Sequence, residues 1–177
     1  MLTKTIQDAI NNQIAMEFSS SYIYLSMAAH FEADNLPGSA NWMRIQSEEE
    51  RLHALKLFNF VADRGGRVVL HALPQPPTEF GSPLEILQTA LEHEQKVSAS
   101  INNLYGLAMK EGDYAAQVML GWFVNEQVEE EKNATAIVEQ LKRIGNDGPA
   151  LIMLDRELAA RVAEPAGGGA EGVTRNW

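Results

Sequence analysis

Apolar residues recur at steps of three and four along four long segments of the sequence, residues 5–34, 39–64, 83–111 and 114–144. This spacing places them on one face of an α-helix, and we call each such row of residues a seam. Seams of this kind are typical of helices that pack together in a bundle. Leu, Ala, Ile, Glu and Gln are plentiful, and runs typical of β-strands are few. The sequence therefore predicts an all-α protein built as a four-helix bundle.

The connections between these segments predict the order and direction of the helices. A short turn at residues 35–38 joins the first two helices, which should be antiparallel neighbours, and Ser39 is predicted to cap the second. Residues 67–81 contain three prolines and predict an extended connection, long enough to travel the length of the bundle. One long crossover of this kind makes the second and third helices parallel.

Capping signals mark the remaining helix starts. Ser82 and Glu85 form a predicted capping box at the start of the third helix, and Asp113 is placed to cap the fourth. A short fifth helix is predicted to run to about residue 162. We expect one domain over residues 1–162 and a flexible tail, rich in Gly and Ala, over residues 163–177. The final Trp of that tail has no assigned role.

Composition and charge argue against several classes of function. The chain has no cysteine, which excludes disulfides, thiolate metal sites and iron–sulfur clusters. No stretch reaches the roughly 18 consecutive apolar residues of a membrane span, and the first residues lack the apolar core of a signal peptide. The formal net charge of −10 argues against nucleic-acid binding. We expect a cytoplasmic protein whose partners are neither membranes nor nucleic acids.

Each of the four seams is interrupted near its middle by polar side chains. In an up-down bundle these positions lie at similar depth, so the polar groups should converge. Several buried carboxylates at one point repel one another and need a compensating cation. Oxygen ligands with one imidazole suit iron or another divalent first-row metal. The interrupting residues are Glu17, Glu50 with His53, Glu94, and Gln127 with Glu130.

A simpler interpretation is available for each seam taken alone. A helix rotated slightly about its axis would turn its carboxylate to water, and an isolated Glu-x-x-His spacing is common on helix surfaces. The metal interpretation is favoured because the interruptions fall at matching depth in all four segments, which unrelated surface residues would not do.

The Glu50-x-x-His53 motif, with Glu17, Glu94 and Glu130 on the other seams, resembles the ligand pattern of ferritin-like di-iron carboxylate bundles. The chain is similar to the bacterial non-haem ferritins from its first residue to about residue 161, including the long crossover and the short fifth helix. This resemblance implies that Glu17 and His53 are terminal ligands of a first iron. It implies that Glu50 bridges the two irons and that Glu94 and Glu130 bind the second.

The resemblance extends to residues around that centre. Gln127 matches a position that makes hydrogen bonds beside the metals in ferritins, and Tyr24 matches a tyrosine that assists electron transfer. A plain core aromatic is the alternative for Tyr24. Glu49, Glu126 and Glu129 lie one step off the seams and resemble the third iron site of bacterial ferritins, on the path to the cavity. The alternative for these three is a solvated acidic face.

Departures from related families narrow the resemblance. The motif on the fourth helix is Gln127-x-x-Glu130 rather than Glu-x-x-His, so the second iron would lack an imidazole, unlike that of bacterioferritin. Leu52 stands where bacterioferritin uses a methionine to bind haem, so no haem is expected. Rubrerythrin-like proteins need cysteine-bound iron, and the chain has no cysteine.

The resemblance implies a ferroxidase and iron-storage protein. Its substrates would be Fe(II) and dioxygen or hydrogen peroxide, and ferric mineral would collect inside a hollow homo-oligomeric shell of 24 subunits. Two alternatives belong to other classes: a small di-iron oxidase or oxygenase acting on another substrate, and a catalytically silent structural shell subunit.

Overall fold

The computed structural model describes residues 2–163. It contains five α-helices and no strand within that range: α1 (Lys4–Ala33), α2 (Pro37–Asp63), α3 (Pro83–Lys110), α4 (Tyr114–Ile144) and α5 (Gly148–Leu158). The predicted fold class, a four-helix bundle with one long crossover and a short fifth helix, is confirmed. No helix in the described part of the chain is long and apolar enough to cross a membrane.

Local signals in the sequence explain where three of the helices begin. Ser82 and Glu85 form the predicted capping box, in which the Ser82 hydroxyl accepts from the Glu85 amide and the Glu85 carboxylate accepts from the Ser82 amide. The Asp113 carboxylate accepts a hydrogen bond from the Ala116 amide at the start of α4. Thr3 caps α1. These caps satisfy amides that have no partner within the helix.

Contacts between helices give their relative directions. As the residue number increases along α1, the contacting residues of α2 and of α3 have decreasing numbers. Helix α1 is therefore antiparallel to both α2 and α3. It follows that α2 and α3 are parallel, as the long crossover predicts. The contacting pairs are Ser21 with Ser47 and Glu32 with Arg44 between α1 and α2, and Gln13 with Ser100 and Ser20 with His93 between α1 and α3.

The crossover lies along α1. Asn11 donates its side-chain amide to the Arg67 carbonyl oxygen (3.1 Å) and accepts from the Val69 amide (3.2 Å). Farther along both segments, the Ser26 hydroxyl donates to the Pro77 carbonyl oxygen (2.6 Å). The extended chain therefore follows α1 from the end of α2 to the start of α3, with its backbone groups bonded to α1 side chains.

Two helix ends differ from their predictions. Helix α2 begins at Pro37, so Ser39 lies inside its first turn and is not the cap. The N-cap residue, Leu36, makes no side-chain hydrogen bond to the helix. The Ser39 amide donates instead to the carboxylate of Asp155 in α5. Helix α5 ends at Leu158, four residues before the predicted position near 162. Of the tail predicted over residues 163–177, all but the first residue lies outside the described residues.

The interior of the bundle consists of two apolar clusters with a polar layer between them. One cluster, toward the α1–α2 turn, includes Phe31, Met43 and Leu87. The other, toward the N-terminus of α1, includes Ile10, Val61 and Leu120. Apolar packing on both sides holds the helices in register, and this register sets the position of the polar residues between the clusters.

Candidate metal centre

The polar residues that interrupt the seams all lie in the bundle interior. Each is 5% exposed or less, so none of the carboxylates turns to water as the simpler interpretation would require. All four long helices contribute to this layer. The buried residues are Glu17 from α1, Glu50 and His53 from α2, Glu94 from α3, and Gln127 and Glu130 from α4.

Two groups of potential ligands meet at His53. Ligand atoms of Glu17, Glu50 and His53 lie within 4.8 Å of one another, and so do those of His53, Glu126 and Glu130. The two imidazole nitrogens face different neighbours: Nδ1 lies 3.4 Å from Glu50 Oε2, and Nε2 lies 3.9 Å from Glu126 Oε1. The spacing of three residues brings the Glu50 carboxylate close to His53, because it places both side chains on one face of α2.

Several polar atoms of the first group are buried without a hydrogen-bond partner among residues 2–163. They are both carboxylate oxygens of Glu50, Oε2 of Glu17 and Nδ1 of His53. A buried polar atom left in this way costs free energy, and native proteins seldom leave four of them together. A divalent cation bound by these atoms would remove that cost, and the oxygen-rich set with one imidazole suits a first-row metal.

Hydrogen bonds fix the carboxylate of Glu94 from both sides. The Tyr24 hydroxyl donates to Oε1, and the Gln127 side-chain amide donates to Oε2 over 3.0 Å. Both oxygens of Glu94 are therefore engaged, and Glu94 belongs to neither close group of ligand atoms. Gln127 presents its amide nitrogen to Glu94, so its role in this geometry is that of a hydrogen-bond donor.

Two other glutamines orient carboxylates of the layer. Gln13, one turn before Glu17 on α1, donates to Glu17 Oε1 over 2.9 Å. Gln46, one turn before Glu50 on α2, donates to Glu130 Oε2 over 2.5 Å. Neither glutamine is among the site residues predicted from the sequence. Each precedes a selected glutamate by four residues, and that spacing is a signal that could have identified them.

Burial raises the pKa of every carboxyl group in the layer. For Glu17 and Glu50 the pKa is raised well above its usual value, first by burial and then by the charges of neighbouring carboxylates. Burial also raises the pKa of Glu94, against the hydrogen bonds from Tyr24 and Gln127. Burial and the charge of Glu94 raise the pKa of Glu130 to about 8. The layer therefore resists full ionisation near neutral pH unless a cation joins it.

The three residues predicted to form an outer site lie in different environments. Glu126 is partly exposed and lies beside His53 at the edge of the layer. Glu49 is paired with Arg161, whose Nη2 lies 2.5 Å from Glu49 Oε2. Glu129 is exposed and belongs to neither group of potential ligands found in the described residues.

Aromatic and histidine side chains border the layer. His93, which is not among the predicted site residues, lies with its Nε2 2.7 Å from the Ser20 hydroxyl oxygen and its ring edge-on to Tyr24. Burial lowers the pKa of His93, which favours the neutral imidazole. Trp122 packs edge-on against His53 with ring centroids 5.3 Å apart. The proximity of His93 to the layer is visible only in the structure, because His93 does not lie on the α3 seam.

Comparisons with known proteins agree with this architecture. The ferritin-like domain family matches residues 7–144 of the chain. The chain is 41% identical over 161 residues to a bacterial non-heme ferritin of Staphylococcus saprophyticus, which covers 91% of this chain and 96% of that protein. It is 40% identical over 161 residues to a bacterial non-heme ferritin of Bacteroides fragilis, covering 91% of this chain and all of that protein (100%).

Solved structures give the same result. An open pore ferritin from the hyperthermophilic archaeon Archaeoglobus fulgidus is 47% identical to this chain, with a TM-score of 0.91, over 92% of this chain and 100% of that one. A humanized archaeal ferritin is 45% identical, with a TM-score of 0.92, over 93% of this chain and 100% of that one.

Proposed function

This chain belongs to the ferritin family, and on that premise we propose that it stores iron, oxidising Fe(II) at a two-metal centre inside each subunit. Ferric iron then passes inward and accumulates as a mineral within a shell of identical subunits, 24 in number. The relatives named as non-heme ferritins support the storage role, and the buried layer of carboxylates supports the oxidation step. The cytoplasmic location and the absence of haem stay predictions.

One observation carries the proposal. Both carboxylate oxygens of Glu50 are fully buried without a hydrogen-bond partner in the described chain, within reach of ligand atoms of Glu17 and His53. A carboxylate is stable in such a place only if it is protonated or bound to a cation. The charges of Glu94 and Glu130 also raise the pKa of Glu50, which supports its proposed role as the ligand shared by the two ions.

Each buried ligand has a proposed role in binding one or both ions. Glu17 and His53 hold the first Fe(II), Glu50 contacts both ions, and Glu94 and Glu130 hold the second. With oxygen ligands alone, the second ion is bound less tightly, which helps the ferric product to leave. A third ion would use Glu49, Glu126 and Glu129 at the outer edge of the layer.

Neighbouring side chains position the ligands and supply protons. Gln13, Gln46 and Gln127 each donate to one carboxylate and so fix its direction. The Tyr24 hydroxyl donates to Glu94, close enough to pass a proton or an electron to the centre. Burial raises the pKa of Tyr24 well above its usual value, so the phenol keeps its proton at rest.

The electron balance of the reaction explains why two ions are needed. Two Fe(II) ions give up one electron each, and dioxygen takes both electrons with two protons to form hydrogen peroxide. Peroxide as the oxidant takes two electrons and two protons to form two waters. Holding the ions as a pair delivers both electrons together and avoids one-electron oxygen products.

Stopped-flow absorbance tests the proposal. Metal-free protein is mixed in aerobic buffer with about two Fe(II) per chain, the stoichiometry of a two-metal site. We expect a fast phase that saturates near this ratio, is lost in Glu50→Ala and is kept in Glu48→Ala. Glu48 is the matched control because it is an exposed neighbour that pairs with Arg51. A fast phase that survives Glu50→Ala, or no fast phase in the wild type, would refute the proposal and favour a purely structural subunit.

A further inference from the structure

Beyond α5 the chain turns back onto α2, and Arg161 makes the principal contact. The Arg161 carbonyl oxygen accepts from the Asn41 side chain over 3.2 Å. Its guanidinium stacks on the Trp42 ring, 4.6 Å from the ring centroid, and Nη1 lies 3.4 Å from the Trp42 carbonyl oxygen. A long flexible side chain is thereby held in one place on the outer surface of the bundle.

The guanidinium of Arg161 reaches two side chains of α2 at once. Nη1 donates to Gln46 Oε1 over 2.9 Å, and Nη2 donates to Glu49 Oε2 over 2.5 Å. The Arg161 and Glu49 side chains are only 20% and 19% exposed, so their ion pair is partly shielded from water. A fork of donors of this kind is what a guanidinium provides and an ammonium does not.

Both contacts lead directly to the buried layer. Gln46, held by Arg161 through its oxygen, donates through its nitrogen to Glu130. Glu49, the other partner of Arg161, directly precedes Glu50 in α2. Arg161 is therefore one hydrogen-bonded residue away from Glu130 and holds the immediate neighbour of Glu50, although it is itself outside the layer.

We propose that Arg161 is a positioning residue that occupies the Glu49 carboxylate as a built-in cation, so that a metal ion uses Glu49 only after Arg161 has released it. This inference rests on the proposed function, because Glu49 belongs to the outer part of the same centre. The reason is competition: a guanidinium and a divalent ion cannot both neutralise one carboxylate at contact distance. Entry of an outer ion is thereby coupled to movement of the Arg161 side chain away from Glu49.

Titration of metal-free protein with Co(II), followed by calorimetry and by its visible absorption, tests this inference. Co(II) is a first-row divalent ion that reports coordination without being oxidised by the centre. The variants are Arg161→Gln, Arg161→Lys, Glu49→Gln and the double variant Arg161→Gln/Glu49→Gln. Arg156→Gln is the matched control, because it removes the same charge from an exposed position on the neighbouring α5.

We expect the weakest Co(II) site to bind about two- to fivefold tighter in Arg161→Gln, the effect of removing one partly exposed ion pair. Arg161→Lys, which keeps the charge without the fork, should lie between wild type and Arg161→Gln. The tightening should vanish in the double variant, because Arg161 acts through Glu49. A merely structural role would lower the melting temperature without this dependence on Glu49.

Three results overturn the inference: an unchanged weakest site in Arg161→Gln, an equal change in Arg156→Gln, or a tightening that persists in the double variant. If Arg161→Gln does not fold, Arg161→Lys is used in its place. A weakest Co(II) site with the same affinity in Arg161→Lys as in the wild type then overturns the inference. Failure of the proposed function is recognised separately, as the absence of two tighter sites that depend on Glu50.

Discussion

Asp155 on α5 caps the start of α2, although 116 residues separate it from its partner Ser39. The Asp155 carboxylate accepts from the Ser39 amide (2.7 Å), the Ser39 hydroxyl (2.8 Å) and the Gly38 amide (3.0 Å). The first amides of a helix have no partner within it, and α2 lacks a capping side chain of its own. The short fifth helix is therefore bonded to the long helix that carries Glu50 and His53.

Replacing Asp155 should destabilise the fold. Asp155→Ala leaves two buried amides and a hydroxyl without their acceptor, and we expect the free energy of unfolding to fall by about 2 kcal/mol or more. Denaturant unfolding followed by circular dichroism measures the change. Glu157→Ala is the control, since Glu157 is an exposed acid on the same helix. Equal unfolding midpoints for the two variants would contradict this capping role.

The close approach of α5 to α2 makes a second prediction, at Gly38. A Cβ added to Gly38 would lie 1.7 Å from the Asp155 carbonyl oxygen, which is backbone and has little freedom to move. Gly38→Ala should therefore lower the free energy of unfolding by roughly 2 kcal/mol or more. Gly106→Ala is the matched control in α3, where a Cβ meets no atom of the described chain within 4 Å.

The control should move stability in the opposite direction. An exposed glycine inside a helix costs about 0.5–1 kcal/mol relative to alanine, so Gly106→Ala should raise the melting temperature. Thermal unfolding of both variants checks the pair of predictions. A Gly38→Ala protein as stable as wild type would show that α5 does not need to lie this close to α2.

The ion pair between Arg64 and Asp113 predicts a dependence of stability on pH. The two guanidinium nitrogens of Arg64 donate to the two oxygens of Asp113 over 2.9 and 3.0 Å, joining the end of α2 to the start of α4. These hydrogen bonds, with the Ala116 amide, hold the pKa of Asp113 below its usual value of 3.8. Because the pKa is lower in the folded state, the ion pair stabilises the fold above about pH 4, and this stabilisation is lost as the pH falls further.

Asp113→Asn isolates this contribution, because asparagine keeps the helix cap and loses the charge. We expect the variant to be less stable than wild type by about 1 kcal/mol at pH 7, a modest value because Arg64 is partly exposed. The difference should shrink as the pH falls below about 4 and Asp113 of the wild type becomes protonated. Unfolding midpoints across this range measure it. Glu139→Gln, at an exposed pair with Lys142, should change little at any pH.

The proposed metal centre should stabilise the protein only when a metal ion is bound. In the metal-free protein Glu50 is buried beside the charges of Glu94 and Glu130, so Glu50→Gln should raise the melting temperature by removing that repulsion. Added Co(II) should raise the wild-type melting temperature by mass action, and it should raise that of Glu50→Gln much less. Thermal unfolding with and without Co(II) tests both effects.

Glu48→Gln is the control for this experiment, because Glu48 is an exposed neighbour whose carboxylate pairs with Arg51. It should respond to Co(II) as the wild type does. A Glu50→Gln protein that is less stable than wild type without metal would mean that the Glu50 carboxylate has a structural role.

The sequence alone determined the helices, their directions and the depth of the polar layer. Periodicity is a local property, so Glu17, Glu50, His53, Glu94, Gln127 and Glu130 could all be assigned to buried seams, and all six are buried. The extended crossover predicted that α2 and α3 run parallel, because three prolines exclude a helix there. The capping signals at Ser82 and Asp113 were also local, and both caps are present.

Only the tertiary structure decided the contacts between residues far apart in the chain. No local pattern indicates that Asp155 replaces Ser39 as the cap of α2, or that Arg161 reaches Glu49 and Gln46. The contact of His93 with Ser20 at the border of the layer is likewise not indicated by any local pattern. Periodicity specifies which face of a helix is buried, whereas the partner of a polar group depends on how packed helices bring distant side chains within about 3 Å of one another.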